Sequence, residues 1–361
     1  MKPVLLWMGL ILGALHANAQ RLHAGFDKEE YLRLLEITDY GKDSPWTSPP
    51  TLPFPENCRL LYRSAEVGLS NRWDLWLLDS AVGIISIRGT IGRQDSWMEN
   101  FYAAMVPATG TLRLNDSTTF PYRLAADSQA SVHVGWLIGM ASLAPSIIEK
   151  IREYHGKGIR EFIIAGHSQG GAIAFLLRSY LYYLDEGLID PTLVIKTYCS
   201  AAPKPGNLYY AYDFDYITRG GWGLRVINTQ DWVPEIPFSI QTLYDVNPGN
   251  PFSNVNNALQ RAPFFARLYL KMVYRQLDGS TLAAEGKYRK YLGHSVYLLV
   301  HRSMPQLQEP RYVNSTSYSP AGTAIVLPPY PGYAQAYLSK PGQAFTHHAL
   351  GAYYQLVLHD Y

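Results

Sequence analysis

Residues 161–177 read EFIIAGHSQGGAIAFLL and contain Gly166-His167-Ser168-Gln169-Gly170, a G-x-S-x-G pattern. An apolar run enters it, and a run with helical apolar spacing leaves it. That setting lets a serine stand on a sharp strand-to-helix turn with its hydroxyl exposed. The requirement is steric. A serine held at positive φ leaves no room for side chains two residues to either side, and glycines at 166 and 170 remove them. The Ser168 hydroxyl would then sit above a helix N-terminus, where developing negative charge is favoured. The plainer reading of the same residues is a strand–turn–helix junction that happens to carry a serine.

A serine is a weak nucleophile until a base takes its proton and a third group orients that base. On elbow-type turns the acid and then the histidine follow the serine along the chain. Asp231, in RVINTQDWVPEIP, stands just past an apolar strand, where site residues of parallel sheets gather. It could equally cap its own turn. Asp245 competes, but no comparable strand precedes it. Downstream histidines are His294, His301, His347, His348 and His359. His348 falls after a loop at the start of a closing helix, a place from which a base can reach over the turn. His294 opens the run HSVYLLVH, which reads as a strand, and His347 is one residue from His348, so both remain alternatives. Acyl transfer by such a set needs no metal or other cofactor, and no Cys or His spacing suggests metal ligands.

The elements that must position these groups are visible as periodicity. FDKEEYLRLLEITDYG reads as a helix capped by Asp27. CRLLYR, WDLWLLDS and AVGIISIRG read as strands, and LIGMASLAPSIIEKIREYH as a helix despite Pro145. EFIIAG is a buried strand, followed by a helix running to Gly187. PTLVIKTYCSAAP and WGLRVINTQDWVP supply two more strands. Strands alternating with helices predict an α/β fold around a mainly parallel sheet. From about residue 244 the pattern loosens. DVNPGNPFSNVNNALQ is turn-rich, RAPFFARLYLKMVYRQL is a short amphipathic helix, and 244–345 as a whole reads as a cap-like decoration on one domain.

Composition narrows the partners. The 361 residues are 47% hydrophobic and carry a net charge of +2, a balance that by itself argues for neither nucleic acid nor an anionic membrane. The start, MKPVLLWMGLILGALHANAQ, has a cation, a short apolar run and an A-x-A site, which predicts a signal peptide over 1–19 cut after Ala19. The apolar run is shorter than a membrane span of about 20 residues, and no later stretch reads as one. The mature chain, 20–361, is then a single exported domain, secreted or periplasmic. Cys58 and Cys199 are its two cysteines. Export permits a bridge between them, and Cys199 reads as a buried strand residue.

Taken in order, IISIRGT, RQDSWMENF, VHVGW, GHSQGGA, CSAAPKPGN and VINTQDWVPEIP resemble the motifs of the class 3 (fungal-type) lipase family over roughly 82–231. The resemblance implies an α/β-hydrolase fold and hydrolysis of carboxylic esters, with lipid or another ester as substrate, met in solution or at an interface. It makes Ser168 the nucleophile, Asp231 the acid and His348 the base. It places the oxyanion hole at Thr90 and Gln169, with the Thr90 hydroxyl as a third donor. It puts a lid at 91–101 with Trp97 exposed, and it leaves His133 and His167 in structural roles. Gln169 stands where the family carries Leu, and the 244–345 tract is longer than in small fungal enzymes. Soluble-ester, feruloyl-type and phospholipid substrates remain open, as does a binding module that kept the fold.

Overall fold

Residues 20–41, 50–185, 187–247, 249, 263–338 and 343–361 are described by a computed structural model. The expected leader at 1–19 and residues 250–260 of the turn-rich tract lie outside them. In chain order the strands are β1 (Cys58–Arg63), β2 (Trp73–Leu78), β3 (Val82–Ile87), β4 (Met105–Pro107), β5 (Thr109–Arg113), β6 (Thr119–Arg123), β7 (Ser131–His133), β8 (Glu161–His167), β9 (Val194–Ser200), β10 (Gly206–Asn207), β11 (Gly223–Asn228), β12 (Tyr318–Ser319) and β13 (Thr323–Leu327). The first helices are α1 (Lys28–Tyr40), α2 (Gln94–Phe101), α3 (Val134–Gly156), α4 (Gln169–Tyr182) and α5 (Leu208–Ile217).

The main sheet has the order β1-β2-β3-β8-β9-β11-β13. From β3 to β13 neighbouring strands are parallel, and β1 and β2 add an antiparallel edge. Helices cover both faces, which explains why the central strands are apolar on both sides rather than alternating. Phe162 and Ile164 of β8 join the core formed with α3 and α4. Ile163 and Ala165 point the other way, into a core shared with α1 and the closing helix Leu350–Asp360. This is the α/β-hydrolase arrangement. Smaller sheets, β12-β10-β7-β4 and the β5-β6 hairpin, lie beside it.

Local chemistry accounts for the helix boundaries. Asp27 caps α1 by accepting the Glu30 N–H at 2.9 Å. The Glu30 carboxylate does not return to the cap. It reaches Lys196 Nζ at 2.5 Å and accepts from the Tyr198 hydroxyl at 2.8 Å, tying α1 to β9. α3 keeps Pro145 within its length, and His133 caps it by accepting the Trp136 N–H.

Several expectations are corrected. HSVYLLVH is not a strand. It forms a π-helical turn, Lys290–Ser295, and a helix, Val296–Ser303, because Val296 and Val300 share one helical face against the core. The helix expected to be short runs over Phe264–Arg289. β13 lies inside the tract expected as decoration, yet it pairs in parallel with β11 as an edge of the main sheet. α4 stops at Tyr182, before Gly187. α3 is long and apolar enough to cross a membrane, contrary to the expectation of no later candidate, but 67% of its most apolar stretch is buried inside the protein. The cysteines need no such correction: Cys199 is a buried strand residue of β9, and Cys58 and Cys199 are both free thiols.

The Lys196–Glu30 pair invites a test, since Lys196 is almost fully enclosed. Glu30→Ala strands a buried ammonium and is expected to lower stability by about 3–5 kcal/mol. A urea melt checks this, and a Glu30→Leu/Lys196→Met pair should recover most of the loss.

Candidate active site

β8 delivers the chain to the elbow at Ser168, whose φ of 61° and ψ of −129° are unusual for a residue with a side chain. Such a conformation stores roughly 1–3 kcal/mol of strain. A Cβ on Gly166 would lie 2.2 Å from the Gly170 carbonyl carbon, and one on Gly170 would lie 2.2 Å from the Ile87 carbonyl oxygen. Both glycines are therefore obligatory. The Ser168 N–H donates to the Ser200 carbonyl at 2.9 Å, fixing the turn against β9.

The expected acid and one of the expected bases meet. His348 Nδ1 lies 2.7 Å from Asp231 Oδ2. Because the carboxylate only accepts, Nδ1 carries the proton and Nε2 keeps its lone pair. Asp231 also accepts the Tyr353 hydroxyl at 2.8 Å and the Val233 N–H at 3.0 Å. Burial alone would raise the Asp231 carboxyl, but these hydrogen bonds and the adjacent imidazole outweigh it and hold the group below its ordinary value. The His348 carbonyl lies 2.8 Å from His167 Nε2, while His167 Nδ1 is 2.9 Å from Ser200 Oγ. His167 thus braces the loop that carries His348 against the elbow. Ser168 and His348 line one cavity of about 690 Å³ with Thr90, Trp97, Phe238 and Leu292.

The alternative bases lie elsewhere. His294 sits on the π-helical turn and pairs with Glu309 at 3.1 Å. His347 turns to the Tyr333 hydroxyl at 3.1 Å, and its carbonyl accepts from Asn228. Asp245 accepts the Thr242 N–H and so caps its own turn.

The oxyanion side departs from expectation. Thr90 Oγ1 gives its single proton to Gln169 Oε1 at 2.8 Å and accepts from Asn100 Nδ2 at 2.9 Å. In this arrangement the hydroxyl is not a third donor. Gln169 continues the network, since its Nε2 reaches Asn71 Oδ1 at 3.4 Å and Asn71 Nδ2 donates to Glu99 Oε2 at 2.5 Å. Trp97 is half-buried on α2, stacked with Phe101 and tilted against Phe345, rather than exposed as the resemblance implied.

Sequence reasoning missed Tyr353, Asn71 and Glu99. Tyr353 was detectable only as an apolar-face residue of the closing helix. Asn71 sits in a turn with no pattern around it. Glu99 lies on α2 and is fully buried, and burial raises its carboxyl to about 8 despite opposing hydrogen bonds from Asn71 and Gln169. Burial lowers His133 to about 3, against a backbone contact with Asn100 that raises it.

An α/β-hydrolase with a serine on a strained elbow, and an Asp–His pair whose histidine lines the same cavity, defines the class. Residues 84–241 match the family described as Lipase (class 3). A lipase from Rhizomucor miehei is 28% identical over 127 residues, covering 34% of this chain and 33% of that protein. A secreted mono- and diacylglycerol lipase A from Penicillium cyclopium is 32% identical over 113 residues, covering 31% and 34%. The chain thus spans about a third of the length of the curated relatives it matches. A solved Rhizomucor miehei lipase–propeptide complex aligns over 60% of this chain and 65% of that one, at 16% identity and a TM-score of 0.40.

The opposite shifts of Glu99 and His133 give a pH signature. A raised carboxyl stabilises the fold below its unfolded value of 4.5, and that contribution is lost as pH rises towards 8. A depressed histidine stabilises above 6.5, and that contribution is lost as pH falls towards 3. The slopes oppose one another from 4.5 to 6.5, and Glu99 acts alone from 6.5 to 8. Over that upper window stability should fall by up to about 1.4 kcal/mol per pH unit. Urea melts at stepped pH check this, and Glu99→Gln should flatten the slope.

Proposed function

We propose that this chain is an exported serine hydrolase that cleaves the carboxylic ester bonds of lipids, acylglycerols first among them. The observation that carries the reading is the 2.7 Å bond from His348 to a buried Asp231, in a cavity that the elbow serine shares. The lipase names of the matched relatives and the A-x-A leader support the substrate class and the export. Residues 20–361 act as one domain, with 244–345 shaping the cavity beyond the family segment.

In the proposed reaction Ser168 Oγ attacks the ester carbonyl while His348 Nε2 takes its proton. Asp231 holds the imidazole in the needed tautomer and offsets its charge. The backbone N–H groups of Thr90 and Gln169 receive the oxyanion, each contributing roughly 10²–10³ in rate. His348 then returns the proton to the departing alcohol, and water repeats the cycle on the acyl-enzyme. Trp97, Phe238 and Leu292 give the acyl chain an apolar wall. Trp97 rides on α2, which serves as the lid.

The test is hydrolysis of an ester series from butyrate to palmitate, dissolved and then emulsified, by the wild-type and Ser168→Ala proteins. The substitution should lower kcat by at least roughly 10⁴-fold while leaving the thermal melt in place. Activity that climbs with chain length at the emulsion marks a lipase. Activity held to short dissolved esters marks an esterase. Equal rates from the two proteins would remove catalysis from this elbow and leave a binding module.

A further inference from the structure

The helix Phe264–Arg289 is unlike the others, because among its 26 residues only Glu285 and Tyr288 are buried. Its first half, FFARLYLKMVYRQL, is largely apolar and stands in solvent. Phe265 is 81% exposed, Leu268 60%, Tyr269 62%, Met272 52% and Leu277 65%. A contiguous apolar surface of this kind is costly to leave in water and marks a binding face. Three cations, Arg267, Lys271 and Arg275, recur every fourth residue, with no acid before Asp278. At 3.6 residues per turn they form one stripe about 80° wide, with Tyr269 opposite it, Phe265 and Met272 on the flank between, and Phe264 within the stripe. The net charge of +2 averages this stripe away.

The far end of the helix is part of the site. Tyr288, and Leu292 on the turn that continues it, line the cavity that holds Ser168 and His348. The Leu292 carbonyl accepts the Ala104 N–H at 3.0 Å, anchoring that end to the body. Around the cavity, Phe238 and Phe345 are also exposed.

We propose that the first half of this helix is an interfacial anchor that lays the protein on a lipid surface bearing anionic headgroups, with the cavity mouth beside it. A basic stripe beside a broad aromatic face is the pattern of a helix lying in a bilayer interface, its cations among the headgroups and its rings at the acyl boundary. A second copy of this chain matches the face less well, since its own charge is net positive and offers the stripe no acidic excess. The placement beside the cavity rests on the lipid-ester reading above, but the docking itself requires no catalysis.

The test uses the full chain as Ser168→Ala, so that no fatty acid is released, in co-sedimentation with vesicles of phosphatidylcholine alone or mixed with phosphatidylglycerol. Binding should need the anionic lipid and weaken as salt is added. An Arg267→Gln/Lys271→Gln/Arg275→Gln variant should bind the mixed vesicles roughly 100-fold more weakly, at about 1 kcal/mol per cation. A Phe265→Ser/Leu268→Ser/Met272→Ser variant should lose binding even at low salt. With Ser168 restored, both variants should hydrolyse a dissolved short-chain ester at the parental rate. Vesicle binding untouched by both variants would overturn the anchor. So would a dimer in solution that the apolar variant converts to monomers, because a second copy would then be what covers the helix. Anionic-vesicle binding lost in both variants, with no ester hydrolysed by any protein, would uphold the anchor and sink the hydrolase reading alone.

Discussion

The start of α4 is held so closely between β8 at Gly166 and the end of β3 at Ile87 that neither Gly166 nor Gly170 admits a Cβ. That contact holds Ser168 at positive φ, and much of the site is arranged around the result. The turn must be pinned from outside, because a strained residue relaxes when its neighbours allow it. Ser200 pins it through the main chain, and His167 links it to the carbonyl of His348. The brace that stabilises the elbow therefore also ties down the loop that carries His348. One serine side chain on β9 touches both halves, since Ser200 Oγ meets His167 and the Tyr31 hydroxyl of α1.

A second constraint is the cost of burying charge and polarity beside the cavity. Asp231 is enclosed, and three hydrogen bonds keep it ionised there against its desolvation. Glu99, also enclosed, has one Oε without a partner, and its carboxyl is pushed the other way. Glu99 is the more deeply enclosed of the two and Asp231 the more richly hydrogen-bonded. Around Thr90 the amides of Gln169 and Asn100 consume the hydroxyl's hydrogen-bonding capacity. Rigidity of the loop after β3 is thus obtained at the expense of a side-chain donor.

The helix from Phe264 extends the same economy to the surface. Its buried end lines the cavity, while its other end leaves apolar side chains exposed among the described residues. Such a surface persists only where something outside the chain covers it. It joins the polar reaction centre and the proposed lipid surface through one continuous element.

Features settled by neighbours close in the chain were legible in the sequence. The two elbow glycines, the Asp27 cap and the doubly buried strands β3, β8 and β9 each follow from sterics or periodicity within a few residues. Asp231 was legible because it follows a strand end. The resemblance carried Thr90 and Gln169, and it preferred His348 among histidines that pattern alone left open. Tertiary structure decided what depends on contacts across the chain. His348 and His347 are adjacent and chemically identical, and only the packing of Asp231 and Tyr333 separates them. The direction of the Thr90 proton depends on a glutamine 79 residues away. Residues 294–301 hold a short apolar run that reads as a strand, but the core accepts Val296 and Val300 from a single face and so selects a helix. TAIVL at 323–327 became a sheet edge because β11 offered it an unpaired side. Short-range sterics are written in the order of residues, whereas a hydrogen-bond partner or a sheet edge exists only once distant segments have met.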